Sequence, residues 1–335
     1  MKKLRFLSAL LVSATLGLSA LTVSAAAQDA KLKEITVLTN YTFHGRHTPF
    51  FVGLDQGYYR DAGFDVKILP AAGSGFVISA IESGKADYGM ADTGPVVQAV
   101  AKGAKVKGFL VFMDKSTMGF ASLEPYPDPA SIRGKKIAAS QADSARVIFP
   151  IILARHGLAD MPVDWQTADS GVYASLLLSG RVDLFTASID GDVPALQKLA
   201  TPRGKKVYFA SFADWGYEVY GYWMIASQSK LKNDPAEVRR FADATIQAVQ
   251  YSIAHPEEAA RIMVKYNTTL NYDTVLSQWR QSIKAIDTDY TRKNGYGVAT
   301  DDRLENTINI IGEALKLKTD GIKPDDVFQN VVNKR

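Results

Sequence analysis

The chain has 335 residues, 39 Lys and Arg against 35 Asp and Glu, and no cysteine. Without cysteine there is no disulfide framework, thiolate metal site, thiol nucleophile or cysteine for lipid attachment. The formal charge of +4 makes no case for nucleic acid or an anionic membrane surface as partner.

At the N-terminus, Lys2, Lys3 and Arg5 precede an apolar run over residues 6–23 and the small residues Ser24, Ala25, Ala26 and Ala27. That order is the one of a secretory signal peptide over residues 1–27, cleaved after Ala27. Ser8, Ser13, Thr15, Gly17 and Ser19 dilute the run, which argues against a membrane anchor. Removing Lys2, Lys3 and Arg5 takes the formal charge from +4 to +1. The expectation is a periplasmic protein that is not a lipoprotein. With no twin arginine it is exported unfolded by the general route, which disfavours a cofactor inserted beforehand. What remains suffices for two lobes with cores of their own.

Residues 34–38 read as a strand, residues 49–59 as an aromatic amphipathic helix, and residues 64–68 as a second strand that alternates its apolar positions. Gly63 supplies the break between helix and strand. The polar cluster Asn40, Tyr41, His44, Arg46 and His47 sits between strand and helix. The segment PFFVGLDQGYYRDAGFDVKI, residues 49–68, resembles the opening of periplasmic solute-binding proteins of ABC importers, in the branch that serves nitrate, sulfonate, taurine and thiamine-pyrimidine uptake. The resemblance extends to the C-terminal helices. It implies an α/β, two-lobed periplasmic-binding-protein fold of type II, with a ligand cleft between lobes joined by two crossings. It also implies a small-molecule ligand and an inner-membrane ABC permease with its cytoplasmic ATPase as partner; the expectation is a monomer without cofactor, metal or nucleic acid.

Residues 76–87 are echoed by residues 172–183: each is a short helix stopped by Ser-Gly, followed by a basic residue and an Asp that leads into a strand, at 88–91 and 184–188. Repetition of one unit points to two lobes of like construction, as against two ordinary and unrelated α/β units. Further strands are read at residues 110–113, 136–139, 164–167 and 206–210, and a helix over 144–156, which predicts a parallel sheet for the second lobe. Residues 220–226 return as a strand to the first lobe. Pro235, Pro256 and the Asp301-Asp302 pair open helices. The lobes are therefore expected at 28–114 with 221–335, and at 115–220.

In open α/β sheets the carboxyl ends of strands face the ligand crevice, which selects five turns and the second crossing. Arg46 in the first turn could clamp an anion or a carbonyl, or pair with an Asp in a solvated turn. His44 and His47 lack further ligands at matching spacing, since His156 and His255 lie far along the chain, so a metal site is not expected. Gly73, Ser74 and Gly75 offer backbone N–H groups to an oxyanion, or form a plain strand-to-helix turn. Asp92 and Thr93 end the third selected strand. Ser140, Asp143, Ser144 and Arg146 form the second lobe's counterpart, with Asp143 or Ser144 also a good helix cap. Ser188 and Asp190 complete the set.

The crossing segment over residues 214–223 is the densest aromatic stretch in the chain. In the pyrimidine-binding members of the resembled family a Trp and a Glu three positions later hold the ring, and Trp215 and Glu218 match that spacing; Tyr217 lies between them. Interlobe packing of aromatics is the alternative. The resemblance thus favours a thiamine-precursor pyrimidine as ligand, with a sulfonate, taurine or nitrate as runner-up if Arg46 carries an anion. One relative of the family is an enzyme, a pyrimidine synthase that depends on a cysteine-rich motif, which this chain lacks. A receptor that senses rather than imports would close in the same way and differ only in partner.

Overall fold

The structure, a computed structural model, describes residues 31–315 and 321–332. The expected signal peptide lies outside the described residues. Among the described residues, ten strands form two five-stranded sheets. The first contains β1 (Lys33–Leu38), β2 (Phe64–Leu69), β3 (Tyr88–Asp92), β4 (Val106–Val111) and β10 (Tyr222–Ser227), in the order β2-β1-β3-β10-β4. The second contains β5 (Met118–Ser122), β6 (Lys136–Ala139), β7 (Asp164–Thr167), β8 (Leu184–Ser188) and β9 (Tyr208–Ser211), in the order β7-β6-β8-β5-β9.

Both sheets are mixed, which corrects the parallel sheet expected for the second lobe. β6 runs parallel to β7 and β8, but β5 is antiparallel to β8 and β9. The first sheet repeats the plan, with β10 antiparallel to β3 and β4. In each, the fourth place is taken by the strand that directly follows a crossing. All five residues of β5, Met-Gly-Phe-Ala-Ser, are buried, so the segment has no alternation from which a strand could be read.

The sequence echo has a shared physical basis. Thr36 N–H donates to Asp87 Oδ2 at 2.9 Å while Asp87 N–H donates to Thr36 O at 3.0 Å. Lys136 N–H donates to Asp183 Oδ2 at 2.8 Å while Asp183 N–H donates to Lys136 O at 2.9 Å. Each Asp thus ties the turn after its helix to the neighbouring parallel strand. Gly84 (φ +71°) and Gly180 (φ +72°) make the left-handed step just before.

The single helix expected over residues 49–59 is two, Thr48–Asp55 and Tyr58–Asp61, because Gly57 between them takes φ +77°. Phe241, on the helix Pro235–Ala254, stacks on Tyr59 and Tyr88 with ring centroids 5.3 and 4.2 Å apart, which seats that helix on the first sheet. The helix Tyr272–Ile286 follows Pro256–Tyr266.

The chain leaves the first sheet after Val111 and returns to it at Tyr222. The two crossings touch: Gly221 N–H donates to Met113 O at 3.0 Å, and Phe112 N–H donates to Tyr222 O at 2.8 Å. Asp114, at the first crossing, accepts from the Thr288 hydroxyl and the Arg303 guanidinium. Arg303 in turn covers the Tyr220 and Tyr290 rings at 4.1 and 4.3 Å.

Candidate functional site

The carboxyl ends of strands from both sheets converge on one cavity. From the first side come Asn40 and Tyr41 after β1, Arg46, Gly73, Asp92 at the end of β3, and Tyr222. From the second come Met118, Asp143, Ser144, Thr186, Ala187, Ser188 and Asp192. The volume is about 20 Å3, room for roughly one water and far below the few hundred Å3 of ordinary ligand pockets. A larger solute is admitted only when the two sides part.

Hydrogen bonds between the sides hold them together. On the first side Ser74 Oγ donates to Asp92 Oδ2 at 2.8 Å, and from the second side Ser144 Oγ reaches both Asp92 Oδ2 and Ser74 Oγ, the latter at 2.9 Å. Ser140 Oγ donates to Ala72 O at 2.7 Å, and Gly75 N–H to Ala142 O at 3.3 Å. A Cβ on Gly73 would lie 2.3 Å from Ala142 O, and Gly73 has φ +130°, so only glycine lets these loops meet.

Arg46 crosses the cavity floor. It donates to the hydroxyls of Tyr222 and Ser188, and its Nη2 lies 3.1 Å from Asp190 Oδ1. Behind this pair the helix Tyr272–Ile286 contributes Ser282, which donates to Asp190 Oδ2 at 2.8 Å, and Gln278, which accepts from Gly45 N–H at 2.9 Å and donates to Gly191 O at 2.5 Å. His44 Nε2 lies 3.7 Å from Asp192 Oδ1.

The electrostatics are acidic. One guanidinium, itself matched to Asp190, faces Asp92, Asp143 and Asp192. Burial pushes Asp92 up to about 6 against hydrogen bonds from Ser144 and Ser74. Burial likewise raises Asp143 to about 7, although Ala145 N–H and the Thr186 hydroxyl donate to its Oδ1 at 2.9 and 3.0 Å. Burial lowers His44 and His47 below the usual imidazole value, His47 strongly. Carboxylates so placed accept hydrogen bonds from a solute's N–H groups and favour positive charge.

Other residues expected at the site serve nearby or elsewhere. Thr93 bonds to Gly221 O at 3.2 Å, tying β3 to the second crossing. Arg146 is engaged within its own lobe, donating to Ser140 O, Ala139 O and Thr167 Oγ1 at 2.7, 3.0 and 2.8 Å. Trp215 is 5% exposed, packed among Phe120, Phe149 and Phe212, with Nε1 donating to Pro127 O at 3.2 Å. Tyr217 is buried beneath Gly94. Glu218 is exposed on the surface. None of these three lines the cavity. Asp192 closes the selected turn over residues 188–192, while Tyr222, Met118, Thr186, Gln278 and Ser282 belong to the site without having been singled out from sequence. Among the described residues no three His, Cys, Asp or Glu side chains are grouped to hold a metal ion.

The family model described as NMT1/THI5 like matches residues 44–259. The 4-amino-5-hydroxymethyl-2-methylpyrimidine phosphate synthase THI13 of Saccharomyces cerevisiae is 24% identical over 282 residues, covering 79% of this chain and 82% of the yeast chain. The formylaminopyrimidine-binding protein of Halalkalibacterium halodurans is 20% identical over 290 residues, covering 85% and 86%. Among solved structures, the alkanesulfonate-binding protein SsuA of Xanthomonas axonopodis pv. citri bound to MOPS superposes with a TM-score of 0.67 at 13% identity, covering 90% of this chain and all of that one. These likenesses bear out the two-lobed periplasmic-binding-protein fold.

Proposed function

Since the chain belongs to the NMT1/THI5-like family, we propose that it is the periplasmic solute-binding subunit of an ABC importer. In this reading it captures a small amino-heterocycle, a thiamine-precursor pyrimidine first among them, and delivers it to an inner-membrane permease with its ATPase. The lobes are taken as residues 28–114 with 221–335, and 115–220. The observation that carries the reading is the pair Asp92 and Asp143, carboxylates on opposite walls of one cavity, pushed up to about 6 and about 7 by burial. A solute that donates N–H groups to both walls restores what burial removes and gains most when the lobes close.

An anion gains less. Sulfonate or nitrate would meet at least three carboxylates, with the Arg46 guanidinium already matched to Asp190. Binding is favoured over catalysis because the relatives named as synthases belong to a chemistry that the family resemblance ties to cysteines, and this chain has none.

The test is a thermal-shift screen of 4-amino-5-hydroxymethyl-2-methylpyrimidine, formylaminopyrimidine, taurine, MOPS and nitrate on the mature protein. Ligand at about 100 times its dissociation constant adds about 2.7 kcal/mol of stability. Stabilisation by pyrimidines supports the reading, and stabilisation by the anions alone defeats it. Failure of the loaded protein to stimulate any permease and ATPase pair in reconstituted vesicles would sink the importer role.

A further inference from the structure

The amide of Asn40 has chemically opposite ends, an acceptor oxygen and a donor nitrogen, and His47 determines which end faces the cavity. His44 N–H donates to His47 Nδ1 at 3.0 Å, so Nδ1 is the bare nitrogen and Nε2 carries the ring proton. Nε2 lies 3.0 Å from Asn40 Oδ1 and donates to it. The acceptor end of the amide is thereby engaged by the protein. Nδ2, with no hydrogen-bond partner among the described residues, is left for the cavity that Asn40 lines. Both residues are buried, Asn40 6% and His47 0% exposed, so the arrangement is shielded from water.

We propose that His47 is a positioning residue that fixes Asn40 as a hydrogen-bond donor, and that Asn40 thereby selects solutes carrying an acceptor atom next to a donor group. The proposal rests on the pyrimidine reading above and sharpens it. Asn40 Nδ2 meets a ring nitrogen, while Asp92 Oδ1 and Asp143 Oδ2, carboxylate oxygens with no protein hydrogen bond among the described residues, accept from the adjacent amino group. An aminopyrimidine edge carries both partners side by side. A plain amine lacks the acceptor and a plain sulfonate lacks the donor.

Calorimetric titration with 4-amino-5-hydroxymethyl-2-methylpyrimidine and its two pyridine analogues, each with one ring nitrogen replaced by C–H, tests this. The wild-type protein binds one analogue about tenfold or more weakly than the pyrimidine, the cost of leaving a buried donor unpaired. Asn40→Leu, which removes the donor, and His47→Phe, which frees the amide to turn, each bring that ratio toward one. A merely structural role would lower all three affinities together and leave the ratio alone, and that result overturns the proposal. Nitrogen NMR of His47 gives a second readout independent of ligand and variants: a proton on Nδ1 in the wild-type protein also overturns it. If the wild-type protein binds none of the three compounds, the pyrimidine reading fails and the selectivity proposal with it. A ratio unmoved by either variant defeats the selectivity proposal alone.

Discussion

Arg46 Nη2 lies 3.1 Å from Asp190 Oδ1, and the two side chains come from segments that follow strands of different sheets, Arg46 from the 3-10 turn Gly45–His47 after β1 and Asp190 from the turn after β8. They are 2% and 0% exposed. Burying both charges is costly, and their attraction together with the Ser282 and Ser188 hydroxyls offsets that cost. Removing one partner leaves the other buried and unpaired. Asp190→Asn should therefore cost about 3–5 kcal/mol of unfolding free energy in urea titration. Replacing both, as Arg46→Met with Asp190→Leu, should recover most of the loss. A single-variant cost under about 0.5 kcal/mol, the size of an ordinary surface change, would show that the pair contributes little to holding the two sides together.

Asp143 sets a pH dependence with a definite sign. Its carboxyl is pushed up to about 7 in the folded protein, against about 3.9 in an unfolded chain. The folded state holds the proton more tightly, so the contribution of this group is fully present below about pH 4 and is lost as pH rises through about 7. Asp143→Asn keeps the shape and an oxygen for Ala145 N–H but cannot ionise. Relative to wild type, the variant should gain on the order of 3 kcal/mol between pH 4 and pH 8. Paired denaturation curves at the two pH values check it, and a difference constant across the range would mean that the carboxylate is hydrated.

What could be read from sequence depended on whether the signal was local. The Ser-Gly helix stops and the acidic residues Asp87 and Asp183 act on their own turn and the adjacent strand, so the echo could be found without the fold. Asp92 and Ser188 end strands and Asp143 lies in the turn after one, where a general rule about sheets directs attention, and they line the cavity. Gln278 and Ser282 gave no such signal. They sit one turn apart on the buried side of the helix Tyr272–Ile286, and only the packing of that helix against Gly191 and Asp190 reveals why a buried face carries polar residues. Tyr222 falls in the strand read over residues 220–226 and in the aromatic stretch over 214–223, and neither signal separates a core ring from one that lines the cavity. Aromatic density around Trp215 has the same ambiguity, because the same composition builds a core or lines a ligand wall.

At Gly221 the second crossing packs directly on the first. A Cβ there would lie 2.3 Å from Lys115 O and 3.2 Å from the Met113 side chain. Its own N–H is bonded to Met113 O and its carbonyl to Thr93, so the contact cannot relax by turning the peptide. Gly221→Ala should cost about 1–3 kcal/mol through overpacking. Gly171→Ala, at a position with open space around the added carbon, should stay within about 0.5 kcal/mol of wild type. Equal effects of the two substitutions would show that the crossings are not tightly apposed.

Trp215 and Glu218 separate core from site. Trp215 is wrapped by Phe120, Phe149 and Phe212 and anchored to Pro127 O, so Trp215→Ala removes a large core side chain and should cost about 3–5 kcal/mol of stability. Neither its ring nor the exposed Glu218 carboxylate lines the cavity. Affinity for 4-amino-5-hydroxymethyl-2-methylpyrimidine, measured well below the melting temperature, should therefore stay within about twofold in folded Trp215→Ala, a change of about 0.4 kcal/mol. Glu218→Gln should alter stability by less than about 0.5 kcal/mol and affinity no more than Trp215→Ala does. A loss of affinity beyond tenfold in either folded variant would return the ring-holding role to the crossing segment and require a closed state in which residues 215–218 swing into the cleft.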